Sequence, residues 1–407
     1  MKKLMILGGS RYAIPVIKVA HELGVKTITA DYFPGNIAHK YSDAYENIDI
    51  VDKEKVLRVA EKIKIDGIVS FACDPGVVSA AYVAERMGLP FQCSYESTSI
   101  LQDKGKFRKF LLENGFNSPI AESYDSEEDS TKDLDRFKFP VIVKPVDSAG
   151  SKGVTKIDEI DSKGGLDNLK AAIRIATSVS VSGRYIIEEY LKFKGYHSSA
   201  DLFSIDGKLA FVAYSDQIFD DCAENPYTPA KIIWPSSMEY KYQDELTKET
   251  QRLFDLLGMR TGIYNIETCV DVKGKPYLME VSPRGGGCKI AEIQEMAYGV
   301  KLIENEVRKA VGLPLVPFNA HSCEGSWCEF VIHSNREGIY RGLDVDEMIR
   351  SNHLKTIAMA VNNGDVVHSF TGANMALGDM FLKYDSREDL DVAIEDSSRW
   401  LKIQVRG

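Results

Sequence analysis

Asn265-Ile-Glu267, a Lys273-Gly-Lys275-Pro276 turn, and then Tyr277-Leu-Met-Glu280-Val-Ser282-Pro-Arg284-Gly-Gly-Gly287 form the stretch on which the reading of this chain turns. Two alternating apolar runs joined by a glycine-containing turn predict a β-hairpin that brings Glu267 and Glu280 near each other, with Arg284 just beyond. Two carboxylates held that close repel unless a cation sits between them, and hard oxygen ligands suit Mg²⁺ or Mn²⁺. An ordinary surface hairpin with solvated acids is the alternative, and the hairpin alone does not separate the two.

The bulk properties narrow the choice. A chain of 407 residues is too long for one core and is expected to hold two to four compact units. Hydrophobic content of 44% with 27% charged residues is ordinary for a globular protein. No segment supplies the roughly 18 consecutive apolar residues that span a bilayer. Met1-Lys-Lys-Leu-Met-Ile-Leu stops at Gly8-Gly9, so a first strand is expected rather than a signal peptide. A net charge of −10 without a basic stripe argues against nucleic acid as a main partner. The seven scattered cysteines fit reduced thiols in a cytoplasmic protein. His321, Cys323, Cys328 and His333 suggest zinc, but the cysteine spacing is wider than a finger knuckle and no site is expected there.

Residues 1 to about 97 alternate strand and helix at the spacing of βαβ units, which predicts a parallel sheet. Gly8-Gly9-Ser10 opens the first helix, where backbone N–H groups can hold an anion. The dinucleotide fingerprint is incomplete, which favours a small-substrate or purely structural role. Asp31 is open between a ligand contact and a helix cap.

From about 98 a helix carries Asp103-Lys104-Gly-Lys106, and the strand Phe139-Pro-Val-Ile-Val-Lys144 follows an acidic, solvated stretch. A lysine closing so apolar a run is costly unless an anion meets it. The small residues of Ser148 to Gly153 suit either a loop laid over phosphates or a flexible hairpin. Tyr185-Ile-Ile-Glu188-Glu189-Tyr190-Leu191 reads as a strand, Ser198 to Ala213 as further strands, and Gln243 to Leu257 as a helix. Short strands then precede a closing helix from about Arg387 to Leu401.

Taken in order, Asp103-Lys104, Val143-Lys144-Pro145, the Ser148–Gly153 loop, Ile187-Glu188-Glu189, Glu267 and Glu280-Val-Ser-Pro-Arg284 resemble the ATP-grasp superfamily of ATP-dependent ligases. The likeness is to its carboxylate–amine branch, related to the carbamoyl-phosphate synthase large-chain and biotin carboxylase types. It implies an α/β and α+β multidomain fold: a Rossmann-like pre-ATP-grasp domain at 1–97, a small lobe at 98–190, a large lobe with the metal site at 191–312, and a C-terminal α+β domain at 313–407.

The resemblance also implies roles. Lys104 and Lys144 contact the nucleotide phosphates, and Ser148, Gly150, Ser151 and Gly153 close over them. Glu188 meets adenine through backbone and carboxylate, with Glu189 to Leu191 lining the slot. Glu267 and Glu280 hold Mg²⁺ (or Mn²⁺), and Arg284 stabilises charge on the transferred phosphoryl group or an acyl phosphate. The glycines at 285 to 287 admit a carboxylate substrate. Two positions depart from the pattern. Ser282 stands where an Asn is the usual third metal ligand. His197 stands where many members carry a Glu for the ribose, which leaves a ribose contact and a satisfied strand histidine both open.

The expected activity is ATP-dependent ligation, in which a substrate carboxylate is activated as an acyl phosphate and attacked by an amine. A carboxylase using bicarbonate and an inactive ATP-binding module are the alternatives. Partners are expected to be a small carboxylate and a small amine, with no nucleic acid, no membrane, and a homodimer as the assembly. Specificity is expected from Gly8 to Tyr12, from Asp220 to Met238 and from Arg284 to Lys289. Within the second stretch, Cys222, Tyr227, Lys231 and Trp234 either line a pocket or belong to an exposed loop.

Overall fold

The computed structural model describes residues 1–148, 150–160, 164–195 and 197–407. Its N-terminal strands Lys3–Leu7, Lys26–Asp31, Ala44–Asn47 and Gly67–Ser70 form a parallel sheet with the first strand between the second and the fourth. That order puts a topological switch point beside the first strand, and ligands of open parallel sheets bind at the carboxyl ends there. Gly8 ends the first strand at φ +96°, and a Cβ on it would lie 2.7 Å from Cys73 Sγ, so only glycine lets the two chain ends close up. Asp31 caps no helix: it accepts from Gly9 N (3.0 Å), Phe33 N (2.9 Å) and Asn36 Nδ2 (3.0 Å), bracing the loop.

The expected single helix around Lys104 is two, Tyr95–Gln102 and Lys104–Glu113, broken at Asp103. Asp103 is extended and its carboxylate accepts from Lys106 N at 3.0 Å, so the residue starts a new helix instead of continuing the old one. Strands Ala121–Tyr124, Tyr185–Glu189, Val141–Pro145 and Thr155–Ile157 then make a small antiparallel sheet. Its apolar face packs on helix Gly165–Val179 through a core of its own, including Val141, Val143, Leu169, Ile173 and Ile187.

A second antiparallel sheet runs Lys208–Phe211, Ser198–Ile205, Gly262–Val270, Pro276–Ser282. A third runs Asp216–Phe219, Pro229–Trp234, Ser326–Ile332, Gly378–Tyr384, Leu354–Met359, and so draws strands from both sides of residue 312. Leu4, Ile6, Val69, Phe203, Ile263, Trp327 and Phe381 share one apolar cluster, which welds the parallel sheet to both antiparallel sheets. The small sheet stands apart from that cluster. The closing helix is also shorter than its sequence suggests: Arg387–Glu395 and Ser397–Trp400 are helical, but Leu401–Arg406 is a strand paired with Gly338–Val345. Its Leu-Lys-Ile-Gln-Val-Arg alternation carries period 2, which the pairing uses. Among the described residues no helix is long and apolar enough to cross a membrane.

Candidate active site

A cavity of about 1440 Å³ opens where the parallel sheet, the small sheet and the two larger sheets meet. The hairpin forms its floor. Glu267 and Glu280 are direct cross-strand partners, and both line the cavity. Burial first, and then the charge of Glu280, push the Glu267 carboxyl up to about 7. An acid pair so placed is unfavourable when both members ionise and is suited to a divalent cation, which reverses both effects. Among the described residues no group of three or more His, Cys, Asp or Glu could hold a metal ion, so any further ligands come from elsewhere.

Two lysines flank the pair. Lys104 opens its helix and places Nζ 3.6 Å from Glu280 Oε2 while donating to Ser148 O at 2.9 Å. Lys144 ends a strand whose neighbour carries Glu188, and its ammonium is hydrogen-bonded to that carboxylate. This is the anion that a lysine at the end of an apolar run requires. Arg108, one helical turn after Lys104, donates from Nε to the other Glu188 oxygen at 3.1 Å and from Nη1 to Met279 O at 2.8 Å. Burial opposes the Glu188 charge, yet Lys144 and Arg108 hold it down at about 2. The carboxylate expected to meet adenine lines the cavity and is also the counter-ion of two cations, because a charge 3% exposed must be paired.

The remaining slot residues are placed unevenly. Glu189, Tyr190 and Leu191 line the cavity, but the Glu189 carboxylate turns to Lys138 N at 3.0 Å. His197 lines the cavity with its ring edge-on to Phe193 (3.8 Å between centroids) and Phe219 (5.6 Å). Burial and the nearby Lys144 charge lower it to about 4, so it is a neutral imidazole at pH 7.

The loop over the floor is anchored at several points. Ser148, Gly150 and Ser151 line the cavity, while Ala149, like Tyr196 next to His197, lies outside the described residues. Ser151 Oγ donates to Tyr227 O at 2.9 Å, and Asn225 Nδ2 donates to Ser151 O (2.9 Å) and Thr371 O (3.0 Å). Gly153 is not in the cavity wall: a Cβ there would come 2.6 Å from Val179 Cγ2, so it seats the loop on helix Gly165–Val179.

Beyond the hairpin, Arg284 is clamped by Asp74, with Nε to Oδ1 at 2.8 Å and Nη2 to Oδ2 at 2.6 Å. Burial works against both charges, but their mutual attraction wins: Asp74 lies below the usual carboxylate range and Arg284 is driven upward. Ser282 is fully buried and outside the cavity wall, giving its hydroxyl to Asp74 Oδ1 (2.9 Å) and accepting from Gln102 Nε2 (2.7 Å). These two bonds, with one lone pair of Oγ remaining, turn the Ser282 hydroxyl towards Asp74 and Gln102 at the position expected to supply a third metal ligand. Gly285 and Gly286 have no room for a side chain, since a Cβ would lie 2.3 Å from the Phe71 ring and 2.7 Å from Asn265 Nδ2 respectively. Gly286 N donates to both oxygens of Asp201 (2.8 and 2.9 Å), a buried acid pushed up to about 7 by desolvation.

All three specificity stretches reach the cavity: the first through Ser10, Arg11 and Tyr12, the second through residues that include Tyr227, and the third through Arg284, Gly287 and Cys288. Trp234 is fully buried and donates to Ala213 O at 3.2 Å, and Lys231 lies over the Phe330 ring, so neither is a pocket residue. Cys222 is exposed outside the wall. His333 pairs with Asp220 at 3.0 Å while Cys328 is buried, donating its thiol to Glu329 O. Asp74, Arg108 and Asn225 were not anticipated. The helical spacing from Lys104 could have flagged Arg108, whereas Asp74 in Cys73-Asp-Pro-Gly looks like an ordinary helix start.

Residues 137–292 match the ATP-grasp domain family. The carbamoyl phosphate synthase large chain of Thermotoga petrophila is 23% identical over 88% of this chain, and the match covers 31% of that protein. This chain thus spans about a third of the length of that curated relative. Among solved structures, L-amino acid ligase from Bacillus licheniformis superposes with a TM-score of 0.81 at 19% identity, covering 100% of this chain and 99% of the other. N5-carboxyaminoimidazole ribonucleotide synthetase from Thermotoga maritima gives 0.76 at 18% identity, covering 100% of both.

Proposed function

We propose that this chain, whose residues 137–292 match the ATP-grasp domain family, is an ATP-dependent carboxylate–amine ligase. The observation that carries the reading is the convergence of Lys104, Lys144, Glu267, Glu280 and Arg284 on one cavity. Phosphoryl transfer asks a protein for positioning and charge neutralisation more than for covalent chemistry, and these residues supply both. ATP is the phosphoryl donor: a substrate carboxylate oxygen forms a bond to the γ-phosphorus as the β–γ bridge breaks and ADP departs. An amine then adds to the activated carbonyl, phosphate leaves, and an amide remains.

Lys104 and Lys144 bind the nucleotide phosphates, Lys144 being oriented by Glu188 and Arg108. Glu189 to Leu191 and His197 form the nucleotide slot, His197 acting as a neutral hydrogen-bonding ring. Ser148, Gly150 and Ser151 exclude water from the activated acyl group. Glu267 and Glu280 would hold Mg²⁺ or Mn²⁺, which when bound neutralises phosphate charge. Arg284, fixed by Asp74, faces the negative charge that develops on the transferred group.

The four domains are proposed at the bounds expected from sequence, with the strands at 216–234 linking the large lobe to the C-terminal unit. All seven cysteines are unpaired, which supports a cytoplasmic setting. A homodimer is proposed as the assembly, by likeness to the dimer of the biotin carboxylase domain of Hydrogenobacter thermophilus 2-oxoglutarate carboxylase.

ADP release by purified protein with Mg²⁺-ATP, against pooled amino acids, organic acids and bicarbonate, tests the function. Stimulation by an acid and an amine together, lost in Glu280→Gln, is expected. Stimulation by bicarbonate alone would favour a carboxylase, and nucleotide binding without turnover in any pool would favour an inactive binder.

A further inference from the structure

Past the glycine run, the cavity is completed by Arg11 and Tyr12, from the turn that follows the first strand. A Cβ on Gly287 would lie 4.0 Å from Tyr12 Cε2, so these two side chains stand directly beyond the Arg284–Gly287 segment. Arg11 is engaged along one edge. Its Nε donates to Asp379 Oδ2 at 3.1 Å, and its Nη2 donates to Asp379 Oδ1 at 3.3 Å and to Tyr12 Oη at 2.7 Å. Its Nη1 donates to no described residue, and the side chain is 19% exposed in the cavity wall.

Behind this edge lie two acids that the cavity does not reach. Asp379 is 1% exposed, and Glu329, on the adjacent strand, is fully buried with neither carboxyl oxygen hydrogen-bonded among the described residues. Burial, and then the Asp379 charge, push the Glu329 carboxyl well above its ordinary value. The cavity therefore meets hydrogen-bond donors backed by a carboxylate that fixes their direction. A guanidinium whose Nε and Nη2 are held and whose Nη1 is free is suited to an acceptor group, and most strongly to an anion.

We infer that Arg11, oriented by Asp379, binds a carboxylate or phosphate group carried by one of the two organic substrates and not consumed in the reaction. The inference rests on reading the cavity as a ligase site. It makes Arg11 a specificity residue and Asp379 a positioning residue that acts through it.

The test is equilibrium binding to the full chain with Mg²⁺ and a non-hydrolysable ATP analogue, using succinate, inorganic phosphate and ethylammonium chloride as probes. Succinate or phosphate is expected to bind the wild type, with affinity at least about tenfold weaker in Arg11→Gln and partly restored in Arg11→Lys. Asp379→Asn should weaken the same probe and Asp379→Glu recover part of it, with nucleotide affinity unchanged throughout. A response to succinate alone assigns a second carboxylate, and a response to phosphate alone a phosphorylated substrate. Equal probe binding by Arg11→Gln, no binding of either anion, or binding of ethylammonium only overturns the inference while leaving the ligase reading intact. Failure of the wild type to bind nucleotide would sink both.

Discussion

Asp74, at the start of a helix in the parallel-sheet unit, holds both Nε and Nη2 of Arg284, which follows the acid-bearing hairpin more than two hundred positions later. One carboxylate thus joins the N-terminal unit to the residue proposed to face the transferred phosphoryl group. A bidentate clamp of this kind sets orientation as well as charge. Asp74→Asn should lower kcat by about 10- to 100-fold with little change in ATP affinity, since the guanidinium remains but loses its aim. Steady-state ADP release and nucleotide titration check this together. Asp74→Ala, which leaves Arg284 buried and unpaired, should also cost about 3–5 kcal/mol of stability in denaturant unfolding.

Replacing either member of the carboxylate pair should remove activity without removing the fold. Glu267→Gln and Glu280→Gln are expected to abolish substrate-dependent ADP release, with far-ultraviolet circular dichroism unchanged. An undiminished rate in both variants would rule out the metal-holding role.

The raised Glu267 carboxyl gives a pH dependence of definite sign. Its folded value of about 7 lies above the unfolded value near 4.5, so between those limits the folded state binds more protons. Stability without divalent metal should therefore fall as pH rises from about 5 to 7, and Asp201, also raised to about 7, acts in the same direction. Metal binding must displace the Glu267 proton, so Mg²⁺ affinity should rise with pH by up to about tenfold per unit below 7. Thermal melts with and without Mg²⁺ at pH 6, 7 and 8 read both effects, and Glu267→Gln should flatten the metal response.

The loop over the cavity is latched by Ser151 to Tyr227 and by Asn225 to both Ser151 and Thr371. Asn225→Ala should raise the susceptibility of residues 148–153 to limited proteolysis and raise ADP release in the absence of an amine, because water then reaches the activated group. Gly150, at φ +70°, cannot become proline without remodelling the turn. Gly150→Pro should cut the rate far more than it lowers the melting temperature.

Several elements were legible before any coordinates. The period-2 runs around Lys273-Gly-Lys275-Pro276 predict the hairpin, and its register does oppose Glu267 to Glu280. The alternation over the first 97 residues predicts the parallel sheet, because both signals are local: hydrophobic period and turn chemistry act within a few residues. The lysine stranded at the end of Val-Ile-Val-Lys144 announced a buried anion, though not which one.

What the chain determined by itself was thus the set of elements and the kinds of side chain that reach the cavity. Tertiary packing alone decided their partners. Glu188 became the counter-ion of Lys144 and Arg108, Ser282 gave its hydroxyl to Asp74, and Arg11 was turned by Asp379 from the far end of the sequence. A buried charge must find an opposite charge wherever the fold supplies one, and pairings across 44 to 368 positions leave no periodicity in the sequence to read.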